Sequence, residues 1–206
     1  MARRGGAPEV SAGSMADIAF LLLIFFLVTT TIETDAGLDR MLPPMEPPDT
    51  DVIIKEKNIF QVLINKDGRL LADDNVIELK DLRAKAVEFL DNNGDGSCTF
   101  CKGKKSPESS DNPTKAIISL KNDRETKYST YITVQNELVG AYNQLRNREA
   151  QRIFKKDFVA LEADYLNPET KESLGETEYD ELKEKVKRIQ DLFPQKLSEA
   201  ETSSSN

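Results

Sequence analysis

The hydrophobic positions of this chain are concentrated in one N-terminal run, and later segments mix apolar with charged residues. Residues 18–28 read IAFLLLIFFLV, and the wider segment 14–32 is apolar apart from Asp17, one serine and three threonines. Residues 11–32 supply the roughly 20 residues that a helix needs to cross a hydrocarbon core about 30 Å thick. The pattern predicts a single transmembrane helix over residues 11–32.

The charges on either side of this segment predict its orientation. Arg3 and Arg4 precede it, whereas Glu33 and Asp35 follow it. Because basic residues are enriched on the cytoplasmic side, we expect residues 1–10 to be a cytoplasmic tail and the remainder to be external. A cleaved secretory signal is the alternative. No clear A-x-A site follows the apolar run, and an acid precedes it, which favours a retained anchor.

Asp17 is the candidate functional residue of the span. A charged aspartate at the centre of a membrane helix costs about 2.5–3.5 kcal/mol, so such residues usually face a bundle interior or a polar cavity. Its helical neighbours Phe20, Leu21 and Ile24 offer no polar partner. The alternative is an aspartate that reaches the cytoplasmic interface or caps the helix.

The alternation of apolar and polar residues predicts a hairpin at the start of the external part. Phe60, Val62 and Ile64 alternate with other residues in a strand. Residues 65–68 (NKDG) form a turn, and residues 69–72 provide the return strand.

Helical spacing follows the hairpin. A face with three- and four-residue spacing comprises Leu79, Leu82, Ala86, Phe89 and Leu90. Residues 116–120 predict a strand, and residues 132–145 a second amphipathic helix. The order β-β-α-β-α over residues 51–145 predicts a small α+β domain with helices on one face of a mixed sheet. Residues 158–161 are the candidate for a final strand.

Three further segments surround this domain. Residues 33–50 contain two Pro-Pro pairs, which favour an extended spacer. Residues 146–197 are charged and form a predicted helical extension, whose stripe in residues 177–193 packs on the domain or on a second copy. Residues 198–206 are predicted to be a disordered tail.

A polar insertion occupies residues 91–114. Asp91, Asn93 and Asp95 match the first half of an EF-hand calcium loop, but Lys102 stands where a bidentate glutamate is required. The calcium interpretation therefore competes with a flexible turn that binds nothing.

The only two cysteines, Cys98 and Cys101, lie within this insertion. A zinc site would need two further ligands, and no histidine or cysteine remains. On an oxidising face of the membrane the expectation is a local disulfide. Redox catalysis is the alternative.

Composition excludes several functions. The net charge is −8 and histidine is absent, so a histidine base, a Ser-His-Asp triad and a histidine-ligated metal are excluded. No long Lys/Arg cluster is present to neutralise nucleic-acid phosphates. We therefore expect neither an enzyme nor a nucleic-acid binder, and no cofactor.

Two segments carry a family resemblance. SMADIAFLLLIFFLVTT resembles the membrane helix of the ExbD/TolR family of biopolymer-transport proteins, and AIISLKNDRETKYSTYITVQNEL resembles that family's strand, charged turn and second helix. The resemblance covers roughly residues 9–145. One departure lies upstream of the acid, where Gly13, Ser14 and Met15 stand near the position at which many relatives have a proline.

The resemblance implies a proton-driven motor subunit of the bacterial inner membrane, with its C-terminal domain in the periplasm. Copies of the helix, expected as a homodimer, would sit inside a ring of a multi-span subunit resembling ExbB or TolQ. Proton cycling on Asp17 would drive a TonB-like or TolA-like protein and so outer-membrane transport. The alternatives are a Tol-type envelope-maintenance subunit and a passive anchored module that binds the envelope or cell wall.

Overall fold

The computed structural model describes residues 12–29 and 54–200, which belong to two separate units. The first unit contains helix α1, Ala12–Thr29. Among the described residues, no helix reaches the length and apolar character required of a membrane span. The predicted crossing therefore stays a prediction. The predicted tail 1–10 and spacer 33–50 lie outside the described residues.

The second unit is built on a five-stranded mixed sheet with strand order β3-β2-β1-β4-β5. β1 pairs antiparallel with β2, and β2 with β3, whereas β1–β4 and β4–β5 are parallel. The mixed sheet is thus confirmed. The strands are β1 Ile59–Ile64, β2 Leu70–Ala72, β3 Asn75–Ile77, β4 Ile117–Asn122 and β5 Leu197–Ala200.

The predicted hairpin is present, because the alternation of buried residues in β1 and the residues of its turn both favour this structure. Phe60, Val62 and Ile64 are buried on one face of β1. In the turn, Gly68 has φ +77°, which glycine adopts at little cost. The Asn65 carboxamide accepts a hydrogen bond from the Arg69 amide at 2.7 Å, which closes the turn.

Five helices accompany the sheet, and two of them cover its apolar face. They are α2 Leu79–Leu90, α3 Tyr128–Phe154, α4 Phe158–Leu166, α5 Pro168–Ser173 and α6 Glu176–Leu192. Leu82 of α2 and Leu138 of α3 are fully buried in the same core cluster as the inward residues of β1 and β4. Gln61, on the opposite face of β1, is exposed.

The predicted boundary at residues 145 and 146 is wrong, because α3 continues through it to Phe154. The C-terminal part is helical, as expected, but it also belongs to the main core: Phe193 and Leu197 are buried with the sheet. The prediction of a disordered tail from residue 198 is wrong for residues 198–200, which lie in β5. Residues 201–206 lie outside the described part.

The proposed strand at residues 158–161 is also wrong. Asp157 caps α4 by accepting hydrogen bonds from the amides of Val159 and Ala160. Phe158 and Leu161 are buried while Val159 is half exposed, which is the spacing of a helix rather than of a strand. The strand beside β4 is instead supplied by β5.

Candidate functional site

Helix α1 presents one ionisable side chain, Asp17, among apolar neighbours. Phe20, Leu21 and Ile24 lie three, four and seven residues further along and therefore share its side of the helix. The sequence of α1 contains no lysine or arginine, so the helix itself supplies no countercharge. Its described apolar side chains are exposed, from Ile24 at 42% to Met15 at 61%. An apolar surface of this kind requires lipid or protein as its surroundings.

The insertion over residues 91–114 is organised by two buried asparagines rather than forming a flexible turn. The Asn92 carboxamide donates to the carbonyls of Ser106 and Ser110, each at 2.8 Å, and accepts from the Ser106 amide at 3.0 Å. The Asn93 carboxamide pairs in the same way with the backbone of Cys98, at 2.8 and 2.9 Å. These side chains replace backbone partners, so the long loop keeps its buried polar groups satisfied.

The candidate disulfide residues lie together at the tip of this insertion. Cys98 and Cys101 form a disulfide with their Cα atoms 5.6 Å apart. The Cys101 amide donates a hydrogen bond to Cys98 Sγ at 3.1 Å. Phe100, between the two cysteines, points into the domain, and its ring centroid lies 5.4 Å from that of Phe193.

The structure does not assemble the calcium ligands that the sequence offered. Asp91 receives two hydrogen bonds from Arg148, at 2.6 and 2.8 Å. The Asn93 side chain is hydrogen-bonded to the backbone of Cys98, and the Asp95 carboxylate accepts a hydrogen bond from Lys115 Nζ at 2.8 Å. Within residues 12–29 and 54–200, no group of three or more His, Cys, Asp or Glu residues could hold a metal ion.

An ion-pair network beneath the insertion was missed by the sequence analysis. Glu149 is fully buried and accepts hydrogen bonds from Arg148 at 3.2 Å and from Arg152 at 2.7 Å. The hydrogen bonds to Asp91 are the main reason that the pKa of Arg148 is raised. A buried charge is tolerated when it is paired and hydrogen-bonded, as Glu149 and Asp91 are here. Because Asp91 and Arg148 are 57 residues apart in the chain, no local pattern indicates their pairing.

A second polar cluster connects the insertion to the start of β1. The carboxylate of Asp111 is buried, contacts the ammonium of Lys57, and lies 3.7 Å from Lys55 Nζ. Its backbone amide donates to the Asn58 carboxamide at 2.7 Å. The hydrogen bond from Lys57 lowers the pKa of Asp111 below its ordinary value, although burial opposes this shift.

Acid should weaken this second cluster. Since the pKa of Asp111 is lower in the folded protein than the unfolded value of about 3.9, its stabilising contribution is present above that value and lost as the pH falls through the folded pKa. We expect Asp111→Asn to reduce the free energy of unfolding at pH 7 and to have a smaller effect at pH 3, which lies below the unfolded pKa. Urea unfolding at both pH values measures this difference.

The exposed Asp164 provides the control variant Asp164→Asn, for which no such pH-dependent difference is expected. An Asp111→Asn effect that is equally large at both pH values would contradict the assignment.

Comparison with known proteins identifies a family. The family described as "Biopolymer transport protein ExbD/TolR" matches residues 3–148, which is well over half of the chain. The match includes Asp17 and ends within α3, and it confirms the resemblance drawn from the sequence. No curated protein matches the chain.

Proposed function

Because the chain belongs to the ExbD/TolR family of biopolymer transport proteins, we propose that it is a proton-motive-force-coupled energiser of an inner-membrane motor. Proteins of this family are associated with the inner membrane, carry a periplasmic domain and are not enzymes. They generally work with ExbB or TolQ and with TonB or TolA. In this proposal the chain transmits energy to TonB-dependent transport across the outer membrane.

The proposed arrangement places each segment on one side of the membrane. Residues 1–10 are cytoplasmic, residues 11–32 cross the bilayer, and residues 33–50 connect the span to the periplasmic domain. The domain extends through β5, since α6 and β5 share its core. Arg3 and Arg4 before the span and the acids after it support this orientation.

The observation that carries the proposal is the single carboxyl group of Asp17 in an otherwise apolar helix. In hydrocarbon a charged aspartate costs about 2.5–3.5 kcal/mol, and this cost falls when the group is protonated or meets a polar partner. A helix with no countercharge of its own therefore requires either a proton or groups from a surrounding subunit. A proton-driven motor depends on such a group, because uptake and release of the proton change which surroundings the carboxyl group favours.

The energy available to such a cycle is sufficient to bias a conformational change. One elementary charge that crosses 100 mV releases about 2.3 kcal/mol. A proton taken up by Asp17 from one side and released to the other couples that free energy to movement of α1 within the ring of the partner subunit. The periplasmic domain then passes the movement to the TonB-like protein.

Co-purification tests the proposed assembly. When membranes that express the full chain from its own genomic context are extracted in mild detergent, we expect a multi-span subunit of the ExbB/TolQ type to purify with it. A chain that begins after residue 32 is the control and should leave that subunit behind. Recovery of the full chain without any multi-span subunit would contradict the proposal. The periplasm-spanning protein that cross-links to the complex, TonB-like or TolA-like, separates the transport role from the Tol-type role.

A further inference from the structure

The disulfide loop contacts the point at which the chain passes from α6 to β5. Phe193 follows α6 directly, is fully buried, and precedes β5, which begins at Leu197. The ring of Phe100 meets the ring of Phe193 edge-on, at an interplanar angle of 77°. Phe100 therefore connects the segment between the two cysteines to the junction that positions the last strand.

Two arginines of α3 also contact this junction between α6 and β5. The carbonyl of Phe193 accepts a hydrogen bond from Arg146 Nε at 3.0 Å. The guanidinium of Arg148 lies 5.9 Å from the centre of the Phe193 ring and also donates to the Phe100 carbonyl at 3.4 Å. These arginines are fixed by α3, whereas Phe100 lies in the short loop that the disulfide closes and is also held by its hydrogen bond with Arg148.

We propose that the Cys98–Cys101 disulfide is a redox-sensitive latch for β5. In the oxidised protein the closed loop holds Phe100 against Phe193, and the junction keeps β5 in register with β4. In the reduced protein the loop gains freedom, Phe100 leaves Phe193, and β5 opens more often. β5 is suited to such control because it is a four-residue edge strand that pairs with β4 alone. An edge strand has a hydrogen-bonded partner on one side only, and segments with few buried contacts open locally most readily.

The sulfur atoms are accessible to the required chemistry. Cys98 and Cys101 are both partly exposed, and the exposed Lys102 follows directly. A thiolate of a dithiol reductant attacks Cys101 Sγ, the S–S bond breaks, and Cys98 leaves as a thiolate that the Cys101 amide stabilises. The second thiol of the reductant then resolves the mixed disulfide and releases Cys101. Two electrons and two protons pass to the cysteines, and the reductant becomes a cyclic disulfide.

The effect of reduction should be local. A disulfide between residues three apart closes a very short loop and restricts the unfolded chain little, so its contribution to global stability is small. The base of the insertion keeps its own partners, since the Asn93 pair with Cys98 and the Asp91 pair with Arg148 do not require the disulfide. A local opening of β5 is therefore distinguishable from unfolding of the domain.

Hydrogen–deuterium exchange of the full chain in mild detergent tests the latch. With dithiothreitol, or with the double variant Cys98→Ser/Cys101→Ser, the amides of β5 should exchange about tenfold faster, the upper end of what one aromatic pair contributes. The amides of β1 and β2 should be unchanged. Unchanged exchange in β5 would overturn the latch, as would an equal acceleration in every strand.

Two single variants separate the latch from a general effect of reduction. Phe100→Ala with the disulfide intact should accelerate exchange in β5 to the same extent, and dithiothreitol should then add nothing. Thr99→Ala, which changes an exposed side chain of the same loop, is the matched control and should leave β5 unchanged. If dithiothreitol accelerates β5 equally in wild type and in Phe100→Ala, the proposed role of Phe100 is overturned. These measurements do not depend on the proposed motor function.

Discussion

Asp17→Asn should abolish energy-dependent transport in cells while leaving the amount of protein and its co-purifying subunit unchanged. Asparagine keeps the size and hydrogen bonding of aspartate but cannot carry a proton between two sides of a membrane. Because Asp17 is the only ionisable residue of α1, no neighbouring group on that helix can replace it. The measurement is uptake of a substrate that requires the TonB system, together with the co-purification described above.

Asp17→Glu is the matched variant for this experiment. Glutamate retains a titratable carboxyl one methylene further from the helix, so we expect partial activity rather than none. Normal transport with Asp17→Asn would contradict the motor proposal and would favour the passive anchored module. Loss of the co-purifying subunit would instead show that the change disrupts assembly.

Phe193→Ala should destabilise the whole folded unit that contains the sheet by about 3–5 kcal/mol, the usual cost of replacing a buried phenylalanine. Phe193 is fully buried in the core shared by β1, β4, α2 and α3, and its ring contacts Phe100 and Arg148. The cavity left by its removal would therefore affect the sheet as well as the C-terminal helices. Urea unfolding of the full chain in mild detergent, followed by far-UV circular dichroism, measures the change.

Val159→Ala provides the control for the core prediction. Val159 lies in α4, within the same C-terminal region, but is 50% exposed, so its replacement should change the free energy of unfolding by no more than about 0.5 kcal/mol. If residues 146–206 were a separate extension, Phe193→Ala would leave the unfolding of β1 to α3 unaffected. That outcome would contradict the burial of Phe193 in the same cluster as the sheet.

Sequence reasoning succeeded where the signal was local and strong. The NKDG turn at residues 65–68 and the alternation in β1 specified the hairpin, and the apolar spacing over residues 79–90 specified that α2 exists. It failed at β3, which has three residues and follows a tight turn in which Asp73 and Asp74 both have positive φ. A strand of that length offers too few positions for an alternation to be recognised.

Some residues of the candidate sites could be predicted from a local pattern, whereas others could not. Asp17 stands out in the sequence because one acid interrupts a long apolar run, and the cysteine pair stands out by its spacing. The pairing of Asp91 with Arg148 and the contact between Phe100 and Phe193 could not be predicted, because the two partners of each are distant in the chain. Asp95 illustrates the converse, since a residue that matched a calcium motif is used instead in an ion pair with Lys115.

The sequence by itself determined that one helix is apolar around a single carboxyl and that a hairpin and amphipathic helices follow it. These features depend on residues within one or two turns of each other, where side-chain periodicity and turn chemistry act directly. Only the tertiary structure decided that the C-terminal residues supply β5, that α3 passes through the expected boundary, and that the insertion packs against Phe193. Burial of apolar surface has no direction along the chain, so the segments that share a core are selected by packing in three dimensions rather than by their order.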